Sequence, residues 1–435
     1  MIRILAITLM LLGATVARAE IAIQEVTTPG GINAWLVEDR SIPFTALEIL
    51  FQGGGALDPA DKRGATNLMV GLLEEGAGDL DARAFARSAE ELAANLNFDI
   101  SDDSVAISAR FLTENRDQAM ALLRAALQQP RFDTDALERV RGQVLSGLRS
   151  DATDPGEIAA RAWDGMLFGS HPYAQNLNGT LDSVAALTRD DIVAAHKGAI
   201  ARDRVFVGAV GDISAAELAT LLDGLLGDLP ATGTARPDPV TPAFAGGVHV
   251  TDFDTPQSVV LFGQPGIDRD DPDFFAAFIL NHILGGGSFE SRLMQEVREK
   301  RGLTYGVYSA LVDRDLAFWW GGSLNSANGK VAEAVSVIRA EWQRMLTDGV
   351  SDAELADAKT YLTGEYPLRF DGNGPIAGIL AGMQMQGLPA SYVTTRNDQV
   401  NAVTRDDITR VAKRLMDADK LTFVVVGKPE GLPQN

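Results

Sequence analysis

The sequence predicts an α+β protein made of two homologous domains, each with a largely antiparallel sheet packed with helices. The duplication is predicted by two segments that match without a gap at an offset of 216 positions. The antiparallel sheets are predicted by hairpin patterns, such as residues 303–312 and 317–324 around an Asp-Arg-Asp turn. Apolar residues make up 46% of the 435 residues, which is enough for a buried core in each domain.

The repeated unit combines a capped helix with a buried strand. Residues 187–192 and 403–408 share the run Thr-Arg-Asp-Asp-Ile, in which the Thr can cap a helix with two Asp at its positive end. Residues 205–211 and 421–427 follow at the same offset as β-branched runs that end in Gly, which indicates buried strands. Duplication of a domain explains this agreement better than chance.

The beginnings of the two copies agree more loosely. Strands are expected at residues 44–55 and 258–266, and helices at 65–75 and 274–284. A stretch rich in Pro, Thr and Gly, residues 229–242, lacks periodicity and separates the copies. We therefore predict a first domain at 20–230, a linker at 231–244 and a second domain at 245–435.

The first residues have the pattern of a secretory signal peptide at 1–19. Arg3 supplies a positive charge, residues 4–14 are apolar, and Ala17-Arg18-Ala19 fits a small-x-small cleavage site. A membrane anchor is the alternative, but the apolar run is shorter than the roughly twenty residues needed to span a bilayer. We expect cleavage before Glu20, export to the periplasm and no membrane insertion afterwards.

Charge and residue inventory exclude several classes of function. A net charge of −21 repels phosphate backbones and argues against nucleic-acid binding. The absence of cysteine excludes disulfides, zinc-thiolate sites and Cys nucleophiles. No two of the four histidines have metal-ligand spacing on a helix, and each fits an ordinary structural role; they are His171, His196, His249 and His282.

Two triple glycines, at residues 53–55 and at Gly285, Gly286 and Gly287, do not resemble a nucleotide-binding loop. Neither is followed by Gly-Lys-Ser/Thr, and neither opens a βαβ unit. Flexible turns are one interpretation. The other is a backbone that lets a peptide approach closely.

The most specific stretch is Arg298-Glu-Lys-Arg-Gly-Leu-Thr-Tyr305. A helix is predicted over residues 291–300, ended by Gly302 in the left-handed conformation. A strand is expected to follow, with Leu303, Tyr305 and Val307 on one face. Arg298 and Tyr305 could converge on a carbonyl or carboxylate. Composition alone favours the alternative, an Arg at a helix C-terminus and a packed Tyr.

At these residues the sequence resembles the pitrilysin/insulinase family of zinc peptidases, in its bacterial and processing-peptidase-like branch. The resemblance covers the mature chain and rests on residues 284–307, the run Gly-Ser-His-Pro-Tyr at 169–173 and the two Thr-Arg-Asp-Asp-Ile elements. It implies two homologous domains arranged as a clamshell. It also implies that Arg298 and Tyr305 match the pair that reaches the substrate backbone, and that Gly285–Gly287 matches a substrate-facing loop.

The sequence departs from the peptide-cleaving members of this family at the zinc motif. Asn67, Val70 and Gly71 stand where His-x-x-Glu-His would supply ligands and general base, and Ser146 or Gly147 stands where the last ligand would fall. The resemblance therefore implies a chain without zinc of its own. Such a chain commonly serves as the non-catalytic, peptide-binding subunit of a heterodimeric metalloendopeptidase, with zinc in a homologous partner. A stand-alone peptide-binding or scaffolding protein is the alternative.

Overall fold

The computed structural model describes residues 22–286 and 289–432. The predicted signal peptide, the cleavage point before Glu20, and Gly287 lie outside the described residues.

The first half of the chain forms a mixed sheet with helices packed on it. Its strands are β1 (Gln24–Thr27), β2 (Asn33–Glu38), β3 (Phe44–Gln52), β4 (Gly76–Ala77), β5 (Leu80–Asp81), β6 (Asn95–Ile100), β7 (Ser104–Leu112) and β8 (Val205–Gly211). Its helices are α1 (Ala65–Gly71), α2 (Ala82–Glu91), α3 (Arg116–Gln128), α4 (Thr134–Asp151), α5 (Pro155–Phe168), α6 (Leu181–Ala186), α7 (Arg189–Ala199) and α8 (Ala215–Leu226). The main sheet has the order β1–β2–β8–β3–β7–β6 and is antiparallel except for β2 beside β8. The strands β4 and β5 form a separate small ladder.

The second half repeats this plan. Its strands are β9 (Gly247–Asp252), β10 (Gln257–Pro265), β11 (Val307–Arg314), β12 (Ala317–Ala327) and β13 (Thr422–Gly427). Its helices are α9 (Phe274–Gly285), α10 (Val331–Thr347), α11 (Asp352–Glu365), α12 (Asn373–Met385), α13 (Tyr392–Ala402) and α14 (Arg405–Leu415), with a π-helical turn at Met294–Glu299. The sheet order is β11–β12–β10–β13–β9, antiparallel except for β13 beside β9. The predicted α+β class is confirmed.

The two repeated caps form as the sequence predicts. Thr188 and Thr404 each accept a hydrogen bond from the backbone N–H three residues on. The side chains of Asp191 and Asp407 accept from the Thr backbone N–H in return, at 2.8 and 2.9 Å. These reciprocal bonds satisfy the free N–H groups of α7 and α14, which begin 216 positions apart.

Each half lends a helix to the other half's sheet. Trp163 and Leu167 of α5 pack with Trp319 and Val424 of the second sheet. Leu380 of α12 packs with first-sheet residues in the same way, in a cluster that also contains Trp35, Ala46 and Val210. Gly208 of β8 permits the close approach of α12, because a Cβ there would overlap the carbonyl oxygen of Ala377. The halves are thus joined by exchanged elements, which the local sequence pattern did not predict.

The segment between α8 and β9 contains neither helix nor strand, yet it is held to both halves. The backbone N–H of Val240 donates to Leu316 at 2.8 Å, and that of Ala243 donates to Leu167 at 2.9 Å. Arg236 also pairs with Asp315 at 2.5 Å. This connection is therefore docked along its length.

Candidate functional site

The segment around Arg298 leaves α9 and enters a π-helical turn before it reaches β11. Leu293, Met294 and Val297 are buried beneath it, as their predicted apolar face requires. Gly302 has φ +59°, and its N–H donates to the carbonyl oxygen of Arg298 at 2.8 Å. The N–H of Leu303 donates to Val297 at 3.0 Å, which completes the helix-ending motif that Gly302 predicted. The predicted helix is thus present, but its last turns are π-helical, with Lys300 N–H donating to Gln295.

Tyr305 does not lie in a strand or in the core, so the expectation for residues 303–306 was wrong. Leu303 and Val307 are buried, but Tyr305 sits on a bend between them and is 89% exposed. The hydroxyl of Thr304 donates to the carbonyl oxygen of Asn325 at 2.6 Å and accepts from Gly306 N–H at 3.1 Å. This local side-chain bonding replaces the strand ladder until β11 begins at Val307. The tyrosine is therefore displayed to solvent.

Arg298 is oriented by two neighbours on the same surface. Its guanidinium forms an ion pair with Glu299, and it lies over the ring of Phe289 at 4.9 Å from the ring centre. Phe289 is 66% exposed, and its carbonyl oxygen accepts a hydrogen bond from Gln295 at 3.1 Å. No hydrogen bond or ion pair between described residues joins Arg298 to Tyr305. The structure therefore places both on one exposed segment without bringing them into direct contact.

A network of charged groups holds this segment from below. The buried carboxylate of Glu296 accepts from Lys300 at 2.6 Å and from Arg301 at 2.6 Å, and Arg344 of α10 lies 3.5 Å away. Arg301 also donates to the carbonyl oxygen of Glu296 at 2.7 Å. Lys300 and Arg301 hold the pKa of the Glu296 carboxyl at about 2. The sequence pattern missed this role, because the network is completed by a distant helix.

The glycines before this segment are places of close approach within the chain. Gly285 is buried, and a Cβ there would lie 2.5 Å from the hydroxyl of Ser309. A Cβ on Gly286 would lie 2.5 Å from the Cα of His282. Both positions therefore require glycine for packing. Their contact with a peptide stays a prediction.

The positions that match the zinc motif lie on α1 without any metal-binding side chain. Asn67 is half-buried, Val70 is buried, and a Cβ on Gly71 would lie 3.2 Å from Val140 of α4. Ser146 and Gly147 are exposed farther along α4. Across residues 22–286 and 289–432, no three His, Cys, Asp or Glu side chains converge as a metal site.

The histidines occupy separate environments. His171 Nδ1 accepts from Tyr173 N–H at 3.2 Å, and its Nε2 lies 3.1 Å from the carbonyl oxygen of Asp238. His196 is buried with Nε2 2.9 Å from the carbonyl oxygen of Leu127, and burial lowers its pKa. His249 lies 3.2 Å from the carbonyl oxygen of Gly246, and His282 stacks on Tyr361.

The tip of the β11–β12 hairpin contacts the first half through charged groups. Arg314 pairs with Asp102 at 3.3 Å and stacks over the ring of Tyr173. The buried Arg63 binds the other oxygen of Asp102 at 2.8 Å. Burial raises the pKa of nearby Asp164 on α5 to about 6, Arg314 opposes this rise, and Asp102 adds to it. These interactions between sequence-distant residues were not predictable from the pattern.

None of the helices that the structure describes is both long and apolar enough to cross a membrane.

Two family models together match most of the chain. The model described as "Insulinase (Peptidase family M16)" matches residues 34–179, and the model described as "Peptidase M16 inactive domain" matches residues 186–362. The first includes the α1 positions, and the second includes Arg298 and Tyr305.

Similar proteins match over nearly their whole length. "Non-peptidase homolog YmxG" of Helicobacter pylori is 28% identical over 89% of this chain and 90% of that protein. An "Uncharacterized zinc protease" of Streptomyces coelicolor is 26% identical over 91% of this chain and 87% of that protein. The crystal structure of a "peptidase M16 inactive domain" from Pseudomonas fluorescens has a TM-score of 0.87 and 30% identity, covering 95% of this chain and 99% of that one.

Proposed function

The chain belongs to peptidase family M16 as an inactive homologue, and from this we propose that it is the non-catalytic, peptide-binding subunit of a heterodimeric zinc metalloendopeptidase. In this proposal a homologous partner supplies the zinc. This chain completes the binding chamber and positions the scissile peptide through Arg298 and Tyr305.

The observation that carries the proposal is that a fully exposed Tyr305 and a half-buried Arg298 stand on one firmly anchored segment. The buried Glu296 network and the helix-ending turn at Gly302 hold the backbone, whereas Tyr305 is left in solvent. A rigid backbone with displayed donors suits binding because little conformational entropy is lost when a ligand is engaged. The Arg298 guanidinium and the Tyr305 hydroxyl can both donate to a peptide carbonyl oxygen, where negative charge develops during cleavage.

The residues at the zinc-motif positions of α1 support the proposal that the partner supplies the zinc and the general base. Asn67, Val70 and Gly71 provide neither zinc ligands nor a general base, so this chain has no group there to generate and use a metal-bound hydroxide.

Export to the periplasm is part of the proposal and rests on the sequence of residues 1–19. N-terminal sequencing of the protein from the periplasmic fraction should give Glu20 as the first residue.

Co-purification tests the assembly. The tagged chain, isolated from the cell that makes it, should bring down a homologue that carries His-x-x-Glu-His. The isolated chain should be inactive, and the mixture should cleave peptides in a chelator-sensitive manner. Recovery of the chain alone, together with peptide binding that needs no partner, would support the stand-alone peptide-binding or scaffolding role instead.

A further inference from the structure

A small cavity of about 110 Å³ lies in the second half, beside the segment that carries Arg298. It opens between the C-terminal end of α9 and the middle of α11. His282 comes from α9, Asp357 and Tyr361 come from α11, and Glu290 and Ser291 come from the chain that leads into the π-helical turn. It is separate from the α1 positions and from Tyr305.

The duplication relates this cavity to the zinc-motif positions of the first half. In each half a helix follows the corresponding strand, α1 after β3 and α9 after β10. The shift of 216 positions that relates the repeated caps also moves the range of α4 onto that of α11. In the first half the two helices are closed against each other at Gly71 and Val140. In the second half the corresponding helices leave an open cavity, which the proposed function does not use.

The cavity is lined by the apolar residues Ile283 and Ala358, by the rings of His282 and Tyr361, and by polar or acidic side chains, namely Glu290, Ser291, Glu354 and Asp357. Ser291 is only 3% exposed, and its hydroxyl has no hydrogen-bond partner. Asp357 lines the cavity and is exposed, and it forms no hydrogen bond or ion pair with any described residue. Glu354 is neutralised by Arg292, which binds it at 2.7 and 3.0 Å. None of the described residues that line the cavity is Lys or Arg.

An aromatic pair forms one wall. The rings of His282 and Tyr361 are stacked with 5.0 Å between their centres. Burial lowers the pKa of His282, and the negative charge of Glu365 opposes this by raising it. The imidazole is therefore neutral at pH 7, and one ring nitrogen can accept a hydrogen bond. Neither ring nitrogen is hydrogen-bonded to a described residue. The ring of Tyr361 can also attract a cation through its face.

We propose that this cavity binds an organic cation, namely the ammonium or guanidinium end of a Lys or Arg side chain from a bound peptide. Asp357 supplies the opposite charge, Ser291 and His282 accept hydrogen bonds, and the Tyr361 ring faces the aliphatic stem. The cavity has room for a few non-hydrogen atoms and would admit the end of such a side chain. A metal ion fits less well, because no three His, Cys, Asp or Glu side chains in the described residues converge there. The assignment to a peptide side chain rests on the proposed function, whereas the cation site itself does not.

Saturation-transfer NMR with a matched pair of small probes tests the site. The probes are Nα-acetyl-lysine N-methylamide and its norleucine counterpart, which has a similar stem without the charge. The lysine probe should bind the full chain, and the norleucine probe should not. Asp357→Asn should weaken binding about tenfold, as expected for loss of a charged partner near the surface. Tyr361→Leu should weaken it as well.

Asp398→Asn is the control, because Asp398 is an exposed Asp on α13 outside the cavity. It should leave probe binding unchanged, and thermal melting should show that every variant is folded. Equal binding of both probes, or full binding by Asp357→Asn, would overturn the proposal. Stoichiometric Zn²⁺ binding that is lost in Asp357→Asn would overturn it in favour of a metal site.

A further variant separates this proposal from the proposed function. Arg298→Ala should reduce peptide cleavage by the assembled pair about a hundredfold or more but leave binding of the lysine probe by this chain intact. If the lysine probe binds but the chain recruits no partner and binds no peptide, the subunit role and the assignment to a peptide side chain are contradicted, whereas the cation site is not. Normal peptide cleavage by the assembled pair, with no preference for the lysine probe, would contradict only the cavity assignment.

Discussion

The guanidinium of Arg301 lies against the carboxylate of Glu296, with 2.6 Å between Nη1 and Oε2, and the same nitrogen donates to the Glu296 carbonyl oxygen at 2.7 Å. Arg301 therefore ties the end of the π-helical turn to its beginning. Arg298 and Arg301 lie three residues apart but have different surroundings. Arg298 faces the exposed Phe289, whereas Arg301 holds the backbone that presents Arg298.

Arg301→Ala should destabilise the protein, because it leaves the buried Glu296 carboxylate with fewer donors. The loss should be about 1 kcal/mol in the free energy of unfolding, since Arg301 is itself partly exposed. Arg149→Ala on α4, also an exposed Arg, is the control and should be nearly silent. Denaturant unfolding of the two variants gives the comparison. Identical midpoints would show that the Glu296 network does not anchor the turn.

Arg298→Ala and Tyr305→Phe should each reduce peptide cleavage by the assembled pair about a hundredfold or more, since each removes a donor to the scissile carbonyl. Melting and partner binding should stay at wild-type values, because neither change removes buried volume. Turnover and melting of both variants should be measured with the partner present, again with Arg149→Ala as control. Full turnover by both variants would leave only a scaffolding role for this segment.

The purified chain should hold far less than one zinc per molecule and should not cleave peptides alone. Restoring the motif by Asn67→His, Val70→Glu and Gly71→His should not create a stoichiometric site. A side chain at Gly71 meets Val140, and Ser146 and Gly147 provide no further ligand. Elemental analysis of both proteins checks this. One tightly held zinc in the triple variant would show that α1 and α4 can rearrange into a site.

Asp164→Asn should stabilise the protein at pH 8 and have little effect below pH 4. Burial raises the pKa of Asp164 to about 6 in the folded chain, so the folded state holds a proton that the unfolded chain has released. Stability from this group is therefore lost as pH rises from about 4 to 6. The gain at pH 8 should be at most about 3 kcal/mol, from a shift of about two pKa units. Melting of this variant and of Asp398→Asn across pH 4–8 tests the sign, and a uniform effect at every pH would contradict it.

The two halves should not fold well as separate chains, because each would lose the helix that covers its sheet. Without α12, the first sheet exposes the surface around Trp35 and Val210, and without α5 the second exposes Trp319. Halves divided near residue 236 should aggregate when made singly and co-purify when made together. Size-exclusion chromatography and circular dichroism distinguish these results. Two monomeric, independently folded halves would show that the exchanged helices contribute little.

Features that depend on neighbouring residues were predictable from the sequence. Thr188 and Thr404 predicted the starts of their helices, because a capping residue and its Asp partner lie within one turn of each other. Gly302 predicted the end of the helix that carries Arg298, because only glycine adopts that left-handed conformation without strain. The missing zinc ligands at Asn67, Val70 and Gly71 were likewise visible as residue types.

Features that depend on contacts across the fold were not predictable. Tyr305 had the alternation of a buried strand residue, but the bonds of Thr304 to Asn325 and Gly306 delay the strand and leave the tyrosine exposed. Lys300 and Arg301 reach Glu296 within five positions, but the contact of Glu296 with Arg344 of α10 joins residues 48 positions apart and has no local signal.

By itself the sequence determined the α+β class, the repeated caps and the lack of zinc ligands at Asn67, Val70 and Gly71, because these follow from residue type and from hydrogen bonds within a few positions. The tertiary structure decided that α5 and α12 cross to the opposite sheets and that His282 and Asp357 share a cavity. It also decided that Arg344 of α10 reaches Glu296 beneath the segment that carries Arg298. These relationships join residues tens to hundreds of positions apart. They arise from the burial of apolar helix faces. A local pattern shows that a helix face is apolar, but it does not show which surface will cover that face.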